Sequence, residues 1–212
     1  MWLRVLPALA LLLVVVFVVA FVLIRGPGKA TLPNGAVQSQ PGDGYDGTLA
    51  LPARAAPPID LRNYMGRRVT LGQYRGKAVL VTFLYANCPN VCPLIASNLR
   101  IVLKRLGRRD SDVQVIAVSV DPRGDTPAAV ARFLAEHGMT GRMQYLIGTD
   151  GELSRTWSAW GVGAKAEVGQ PDLVAHSALV YGVSASGKLV TIYPATFEPD
   201  QIAHDVPKLA AE

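Results

Sequence analysis

The stretch AVLVTFLYANCPNVCP, residues 78–93, decides the fold of this chain. Its first half, Ala78 to Tyr85, is short, nearly continuously apolar and rich in β-branched and aromatic residues. This composition predicts a central strand that helices cover on both faces, as in a parallel α/β sheet. The second half holds Cys88 and Cys92, the only two cysteines of the 212 residues. We therefore expect both thiols on a strand-to-helix turn.

A helix is predicted directly after the second cysteine. Proline disfavours helical dihedral angles for the residue before it and suits the first helical position. Cys92 is therefore predicted to be the N-cap and Pro93 the first helical residue. Gly107 is predicted to end the helix. The apolar residues that recur at helical spacing and should face the sheet are Ile95, Leu99, Val102, Leu103 and Leu106.

The position of the two thiols predicts reactivity. Unpaired N–H groups and the positive end of the helix dipole favour a thiolate at a helix N-terminus, so we expect both sulfurs to be reactive. Such a pair can form a disulfide, exchange with another disulfide or hold a soft metal such as Cu(I). Three residues separate Cys88 from Cys92, one more than in a thioredoxin-type C-x-x-C pair, and this favours chelation. An inert structural disulfide is disfavoured, because bridging so short a loop removes little unfolded-state entropy.

Strands and helices alternate through the rest of the chain, which predicts an α/β fold. Gly161 to about Asp172 is the longest irregular stretch, and we expect it to be a loop. The other predicted elements are a hairpin over 59–71, parallel strands over 113–120 and 143–147, helices capped by Thr126 and Thr149, a hairpin over 177–193 and a C-terminal helix over 200–209.

The N-terminal region predicts a membrane anchor. Val5 to Ile24 carries no charge, and about 20 apolar residues are enough for a helix to cross the hydrocarbon core. A cleaved signal would have a shorter apolar core and a small-x-small site, whereas this one runs directly into Arg25-Gly26-Pro27. We therefore expect a single-pass anchor over 1–25, a flexible linker over 26–44 and one domain over 45–212, outside the cytoplasm at a bacterial cell membrane.

The charge pattern argues against a nucleic-acid partner. Lys and Arg number 21 against 16 Asp and Glu, a net charge of +5, but the basic residues are dispersed. The basic doublets are 67–68, 104–105 and 108–109, and no aromatic residues are interleaved with them. We expect no nucleic acid and at most an acidic protein or a lipid surface.

Of the three histidines, His137 at a predicted helix end and His204 on the terminal helix are expected to be ordinary surface residues. His176 stands where the last predicted hairpin begins. By itself a lone histidine is more often structural than a ligand.

Several motifs resemble, in order and spacing, the pattern of the SCO/SenC family of copper-binding proteins. The resemblance covers Tyr45 to the C-terminus. The residues that carry it are Phe83-Leu84-Tyr85, the cysteine motif 88–93, Ser119-Val120-Asp121-Pro122, Asp125-Thr126-Pro127, His176-Ser177, Tyr181 and Gly187.

This resemblance implies a thioredoxin-like fold, a central mixed sheet flanked by helices, with an N-terminal transmembrane helix. It also implies a copper site made by Cys88, Cys92 and His176, with Asp121 and Asn90 in support. In the oxidised form Cys88 and Cys92 would be disulfide-bonded. The resemblance implies that the protein is a metallochaperone that delivers Cu(I) or Cu(II) to the CuA site of cytochrome c oxidase. Its implied partners are the copper-bearing oxidase subunit and possible further copper chaperones or thiol–disulfide proteins.

The sequence departs from the family pattern at two positions. Asn90 stands where the family usually has Asp, and Ala175 stands where Asp often precedes the histidine. Support for the imidazole must then come from elsewhere.

Other function classes stay open at this point. In a thiol–disulfide reductase, Cys88 would attack a partner disulfide and Cys92 would resolve the mixed disulfide. Whether the protein is an enzyme is therefore undecided by sequence. A peroxidase is less well supported, because no peroxide-activating arginine is identifiable near Cys88. A purely structural domain would tolerate serine at both cysteine positions.

Overall fold

The computed structural model describes residues 36–37, 44–167, 170–176 and 178–212. In chain order the strands are β1 (Ala36–Val37), β2 (Thr48–Ala55), β3 (Asp60–Asn63), β4 (Arg68–Thr70), β5 (Ala78–Leu84), β6 (Val113–Ser119), β7 (Met143–Ile147), β8 (Ala164–Glu167), β9 (Gln170–His176), β10 (Leu179–Val183) and β11 (Lys188–Pro194). The helices are α1 (Val91–Leu106), α2 (Pro127–Glu136), α3 (Asp150–Trp160) and α4 (Pro199–Ala211).

A nine-stranded mixed sheet organises the described residues, in the order β1-β2-β11-β10-β5-β6-β7-β3-β4. Its centre is parallel, because β5 pairs with β6 and β6 with β7 in the same direction. The neighbours on both sides are antiparallel, with β10 against β5 and β3 against β7. The predicted α/β sheet is confirmed, including the parallel strands and both hairpins.

Strand β5 lies in the middle of this sheet, and every one of its residues is buried. Helices cover it from both sides, as the apolar run predicted. The Trp160 ring of α3 lies against Phe83 and Tyr181. Gly182, the residue after Tyr181 in β10, faces Leu209 of α4. Since successive strand residues point to opposite faces, α3 and α4 lie on opposite sides of the sheet.

Helix α1 begins earlier than the sequence predicted. Its first residue is Val91 and its N-cap is Asn90, so the prediction of Cys92 as N-cap and Pro93 as first helical residue is wrong. Proline is tolerated throughout the first turn, because the N–H groups there have no intrahelical acceptor in any case. Gly107 caps the C-terminus with a positive φ of 57°, as predicted.

The stretch predicted as a long loop contains a second, two-stranded sheet. Strands β8 and β9 pair antiparallel, with Ala164 opposite His176. Its glycines and alternating charges hid the ladder, since β-pairing depends on tertiary context more than on local composition. Strand β2 was also not predicted, and β1 lies within the predicted linker 26–44 and pairs with β2.

The predicted anchor over 1–25 and most of the linker lie outside the described residues. Among the residues that the structure does describe, no helix is long and apolar enough to span a bilayer.

Candidate thiol and metal site

The site is built where β5 ends and α1 begins. After Leu84 the chain turns, and the Cys88 N–H donates to the Tyr85 carbonyl at 3.2 Å. The Cys92 N–H, in the first turn of α1, then donates to the Cys88 sulfur at 3.4 Å. The sequence therefore folds so that the first cysteine caps the helix that carries the second. The two thiols are brought together and are not disulfide-bonded.

Both cysteines are almost completely buried. Cys88 is 7% exposed and Cys92 is fully buried. Of the pair, only Cys88 therefore contributes to the surface. Burial follows from the early helix start, because a cysteine in the second helical position turns toward the core alongside Ile95 and Ala96, which are buried too.

The pKa values of the two thiols are shifted in opposite directions. The hydrogen bond from the Cys92 thiol lowers the pKa of Cys88 well below its ordinary value, although burial acts to raise it. Hydrogen bonds from the N–H groups of Cys92 and Asn90 and from the Tyr85 hydroxyl lower this pKa further. The same hydrogen bond is the largest cause of a raised pKa at Cys92, and burial is the second largest. Of the two sulfurs expected to be reactive, the thiolate form is therefore favoured at Cys88 and disfavoured at Cys92. Only one charge is favourable in this enclosed pair, and it lies on Cys88.

A buried carboxylate lies beneath the cysteine loop. Asp125 is 4% exposed and accepts hydrogen bonds from the Ala86 N–H at 2.7 Å and the Tyr145 hydroxyl at 2.9 Å. Desolvation by burial raises the pKa of Asp125 to about 6, against the lowering effect of these hydrogen bonds and one from Ser119. The Asp125 charge in turn raises the pKa of Cys92. Asp125 therefore couples to the thiol pair electrostatically and holds its loop through Ala86.

Sequence reasoning named neither Asp125 nor Tyr145 as a site residue. Asp125 precedes a Thr-Pro helix start, and on sequence alone an acidic residue there reads as part of the helix cap. The signal that finds it is its place in the matched Asp125-Thr126-Pro127 motif. Tyr145 carries no local signal, because its contact with Asp125 depends on the pairing of β6 with β7.

Of the two predicted supporting residues, Asn90 acts on the Cys88 sulfur through its backbone N–H, and Asp121 acts on the backbone of a neighbouring loop. Asp121 Oδ1 accepts the N–H groups of Arg123 at 3.2 Å and Gly124 at 2.9 Å. Its carbonyl accepts the Asp125 N–H at 2.9 Å, so Asp121 shapes the loop that delivers Asp125. The exposed Asn90 is the N-cap of α1, but its side chain makes no capping hydrogen bond.

His176 is the last residue of β9. Nearby, Leu179 begins β10, and its carbonyl accepts a hydrogen bond at 2.9 Å from Thr82 near the end of β5. Three residues of chain span at most about 11 Å. The backbone of His176 thus approaches the edge of the sheet at which β5 leads into Cys88. Its side chain lies outside what the structure describes, and its role as a ligand stays a prediction.

Comparison with known proteins places these motifs in a family. The model of the family described as SCO1/SenC matches residues 48–211. A protein described as a SCO1 protein homolog from Bacillus subtilis is 28% identical over 140 residues, which are 64% of this chain and 72% of that protein. A mitochondrial SCO2 homolog from Bos taurus is 28% identical over 155 residues, 70% of this chain. The chain spans 57% of that bovine protein's length.

Solved structures agree with this result. The structure of Bradyrhizobium japonicum ScoI with copper bound is 28% identical, with a TM-score of 0.65 over 74% of this chain and 99% of its own. A structure of BsSco is 26% identical, with a TM-score of 0.62 over 76% of this chain and 95% of its own. It is described as having a disulfide switch and as belonging to the Sco family of cytochrome c oxidase assembly proteins. These matches confirm the predicted thioredoxin-like fold.

Proposed function

Because this chain belongs to the SCO1/SenC family, we propose that it is a membrane-anchored copper metallochaperone that serves the CuA site of cytochrome c oxidase. Copper is its cargo, held by Cys88, Cys92 and His176. The oxidase subunit that carries CuA is its main partner, and other copper chaperones or thiol–disulfide proteins would load or reduce it.

The observation that carries this proposal is the hydrogen-bonded contact between the two sulfurs at the start of α1. Two adjacent soft donors suit Cu(I), and the thiolate form that binds metal is already favoured at Cys88. The copper-bound ScoI structure, with the same fold and 28% identity, supports copper as the ion.

We propose His176 as the third ligand. The start of β10 lies beside the end of β5, and a short connection leads back from there to His176. An imidazole is a borderline donor that accepts both oxidation states of copper, so a two-thiolate, one-imidazole site could hold Cu(I) or Cu(II). Ala175 offers no carboxylate to orient this imidazole, so its position would depend on the β8–β9 ladder.

The difference in exposure of the sulfurs suggests an order of events. Cys88 is the only residue of the pair with any exposed surface, so incoming copper would contact Cys88 first. Cys92 must then lose its proton to bind, and copper affinity should rise with pH for that reason. Oxidation of the pair to a disulfide removes both thiolates and would release the metal. Transfer to the oxidase would proceed by exchange of ligands at Cys88.

Copper titration of the full chain under anaerobic, reducing conditions tests the proposal. Wild type should bind one equivalent of Cu(I), and Cys88→Ser or Cys92→Ser should abolish stoichiometric binding. In a separate anaerobic titration with Cu(II) and no added reductant, His176→Ala should weaken Cu(II) binding more than it weakens Cu(I) binding, because the thiolates dominate binding of the softer ion. His137→Ala is the matched control, since the His137 ring bonds the Phe133 carbonyl at 2.8 Å within its own helix. Full binding by Cys92→Ser would refute the proposal.

A second candidate, a thiol–disulfide reductase, is favoured by the unequal thiols. Cys88 is the more exposed sulfur and the one with the lowered pKa, as an attacking thiolate should be. It would displace one sulfur of a partner disulfide as a thiolate and form a mixed disulfide. Cys92, once deprotonated, would displace the second partner sulfur, so that two electrons pass to the partner and Cys88–Cys92 becomes the disulfide.

The two candidates differ in their need for His176. A reductase would reduce a disulfide substrate at an unchanged rate after His176→Ala, whereas a chaperone would lose Cu(II) affinity. Retained turnover together with unchanged copper binding in that variant would favour the reductase.

A further inference from the structure

A second group of metal-binding side chains lies far along the sequence from the thiols, where the domain's first residues meet its last helix. Asp46 precedes β2, and His204 and Asp205 lie on α4. His204 Nδ1 is 3.0 Å from Asp46 Oδ2 and 3.0 Å from Asp205 Oδ1. All three ligand atoms lie within 4.8 Å of one another. His204, expected from sequence to be ordinary, thus places one ring nitrogen between two carboxylates.

Asp205 is fixed in place by its surroundings. It is fully buried, and its Oδ2 accepts the Gly47 N–H at 2.9 Å and the Tyr193 hydroxyl at 2.8 Å. The Asp46 N–H reaches both carboxylate oxygens at 2.9 Å. These contacts orient Oδ1 toward His204, in the way that outer contacts orient the ligands of metal sites.

The buried charge of Asp205 also calls for a cation. Buried carboxylates in proteins are paired with a positive group or coordinate a metal ion. Among the described residues, the ion pair recorded for Asp205 is with His204, which is positive only when protonated. A divalent ion held by Asp46, His204 and Asp205 would give this buried carboxylate a positive partner.

We propose that Asp46, His204 and Asp205 form a second metal site, without cysteine, for a divalent transition-metal ion. Bonds of about 2.0–2.1 Å from Zn²⁺ to nitrogen and oxygen place neighbouring ligand atoms about 3 Å apart, which fits the two 3.0 Å separations from His204 Nδ1. One imidazole and two carboxylates are borderline and hard donors, so the site favours Zn²⁺ and Cu²⁺ over Cu⁺. Its preference is thereby opposite to that of a thiolate pair.

Lys208 opposes the proposed ion. Its Nζ lies 3.0 Å from His204 Nε2 and 3.4 Å from Nδ1, so a cation on Nδ1 would have an ammonium group as a close neighbour. Replacing the ammonium with an apolar side chain of similar length, Lys208→Met, should therefore tighten binding. If the surface around Lys208 held no metal site, removing this positive charge would not tighten metal binding.

An ion at this site would connect two distant parts of the chain. Asp46 lies two residues before β2, the first long strand of the sheet, and His204 and Asp205 lie on α4, the last helix. Coordination would add a link between them, and a ligand that binds only the folded state raises the unfolding temperature. Metal binding should thus be visible both calorimetrically and as thermal stabilisation.

The test uses the full chain carrying Cys88→Ser, Cys92→Ser and His176→Ala, which removes the entire proposed copper site. This background makes the outcome independent of whether that first site exists. Titration with ZnCl₂ should show one equivalent bound and a zinc-dependent rise in unfolding temperature. Adding His204→Ala or Asp46→Asn should abolish both effects, and both altered side chains are about half exposed, so folding should survive.

Two comparisons complete the test. Adding His137→Ala should leave zinc binding unchanged, and adding Lys208→Met should tighten it several-fold. The proposal is overturned if the background variant binds no zinc, or if zinc binds equally well after His204→Ala. Unchanged affinity in Lys208→Met would overturn the placement of the ion on Nδ1.

Discussion

Cys92 donates to the Cys88 sulfur through both its backbone N–H and its thiol, and these hydrogen bonds make the two cysteines chemically different. A sequence pattern shows that two sulfurs lie at the same helix start. Which sulfur carries the negative charge depends on the folded structure, in which the buried Cys92 thiol donates and the Cys88 sulfur accepts. Cys88 has the lowered pKa and Cys92 the raised one. The site is therefore a thiolate–thiol pair.

Replacing Cys92 with Ala should raise the pKa of Cys88, because the thiol donor is lost while the backbone donors stay. The alkylation rate of Cys88 with iodoacetamide, measured against pH, should then have its midpoint shifted upward from that of wild type. The Cys88→Ala variant is the control, since fully buried Cys92 should react slowly. Identical midpoints for wild type and Cys92→Ala would contradict the assigned hydrogen bond.

Asp125→Asn should change how stability depends on pH. Burial raises the pKa of Asp125 to about 6 in the folded protein, so the folded state holds this proton more tightly than the unfolded state does. Its contribution to stability is fully present below the unfolded value of 3.8 and is lost as pH rises through about 6. Relative to Asp125→Asn, wild type should lose roughly 3 kcal/mol over this range, at about 1.4 kcal/mol per pKa unit.

Urea unfolding of both proteins at several pH values between 4 and 7 measures this difference. Asparagine can still accept the Ala86 N–H, so the loop should keep its position. A stability difference that stays constant across the range would show that Asp125 does not titrate as its burial predicts.

At the scale of elements, the boundaries that local chemistry sets were predictable and those set by tertiary contacts were not. Thr126 and Thr149 cap α2 and α3 as predicted, because each hydroxyl accepts an N–H three residues on. The start of α1 was wrong by two residues because a sulfur, an unusual acceptor, caps it. The β8–β9 ladder was missed because its strands contain small, charged and proline residues that carry little β propensity.

Thr126→Ala should destabilise the protein by about 1 kcal/mol, since an N-cap hydroxyl that accepts a backbone N–H is worth roughly that much. In this helix the Thr126 hydroxyl oxygen accepts the Ala129 N–H at 3.2 Å. Chemical denaturation measures the change. Ser158→Ala, at an exposed position within α3, is the matched control and should be neutral or slightly stabilising. Equal effects of the two substitutions would contradict the capping role.

At the scale of the whole molecule, the central sheet was predictable because each parallel strand is a buried apolar run separated from the next by a helix. The same reasoning could not place β2 beside β11, since these two strands lie near opposite ends of the described chain, and β1 then pairs with β2 at the edge of the sheet. The proposed histidine ligand illustrates the same limit: the family resemblance, and no local pattern, connects His176 to cysteines more than eighty residues earlier.

The predicted anchor over 1–25 should hold the full chain in a membrane. Val5 to Ile24 is uncharged, and a helix of about 20 residues at about 1.5 Å per residue spans the hydrocarbon core. The full chain should therefore stay with sedimented membranes through an alkaline carbonate wash, and a variant lacking residues 1–25 should be released. Release of the full chain would contradict the anchor.

The most direct test of the central claim is an absorption spectrum of the full chain after anaerobic addition of one equivalent of Cu(II). If Cys88, Cys92 and His176 bind one ion, the spectrum should show a sulfur-to-Cu(II) charge-transfer band that is lost on replacing either cysteine and lost or shifted in His176→Ala. An identical band in Cys92→Ser, or an unaltered spectrum in His176→Ala, would contradict a shared three-residue copper site.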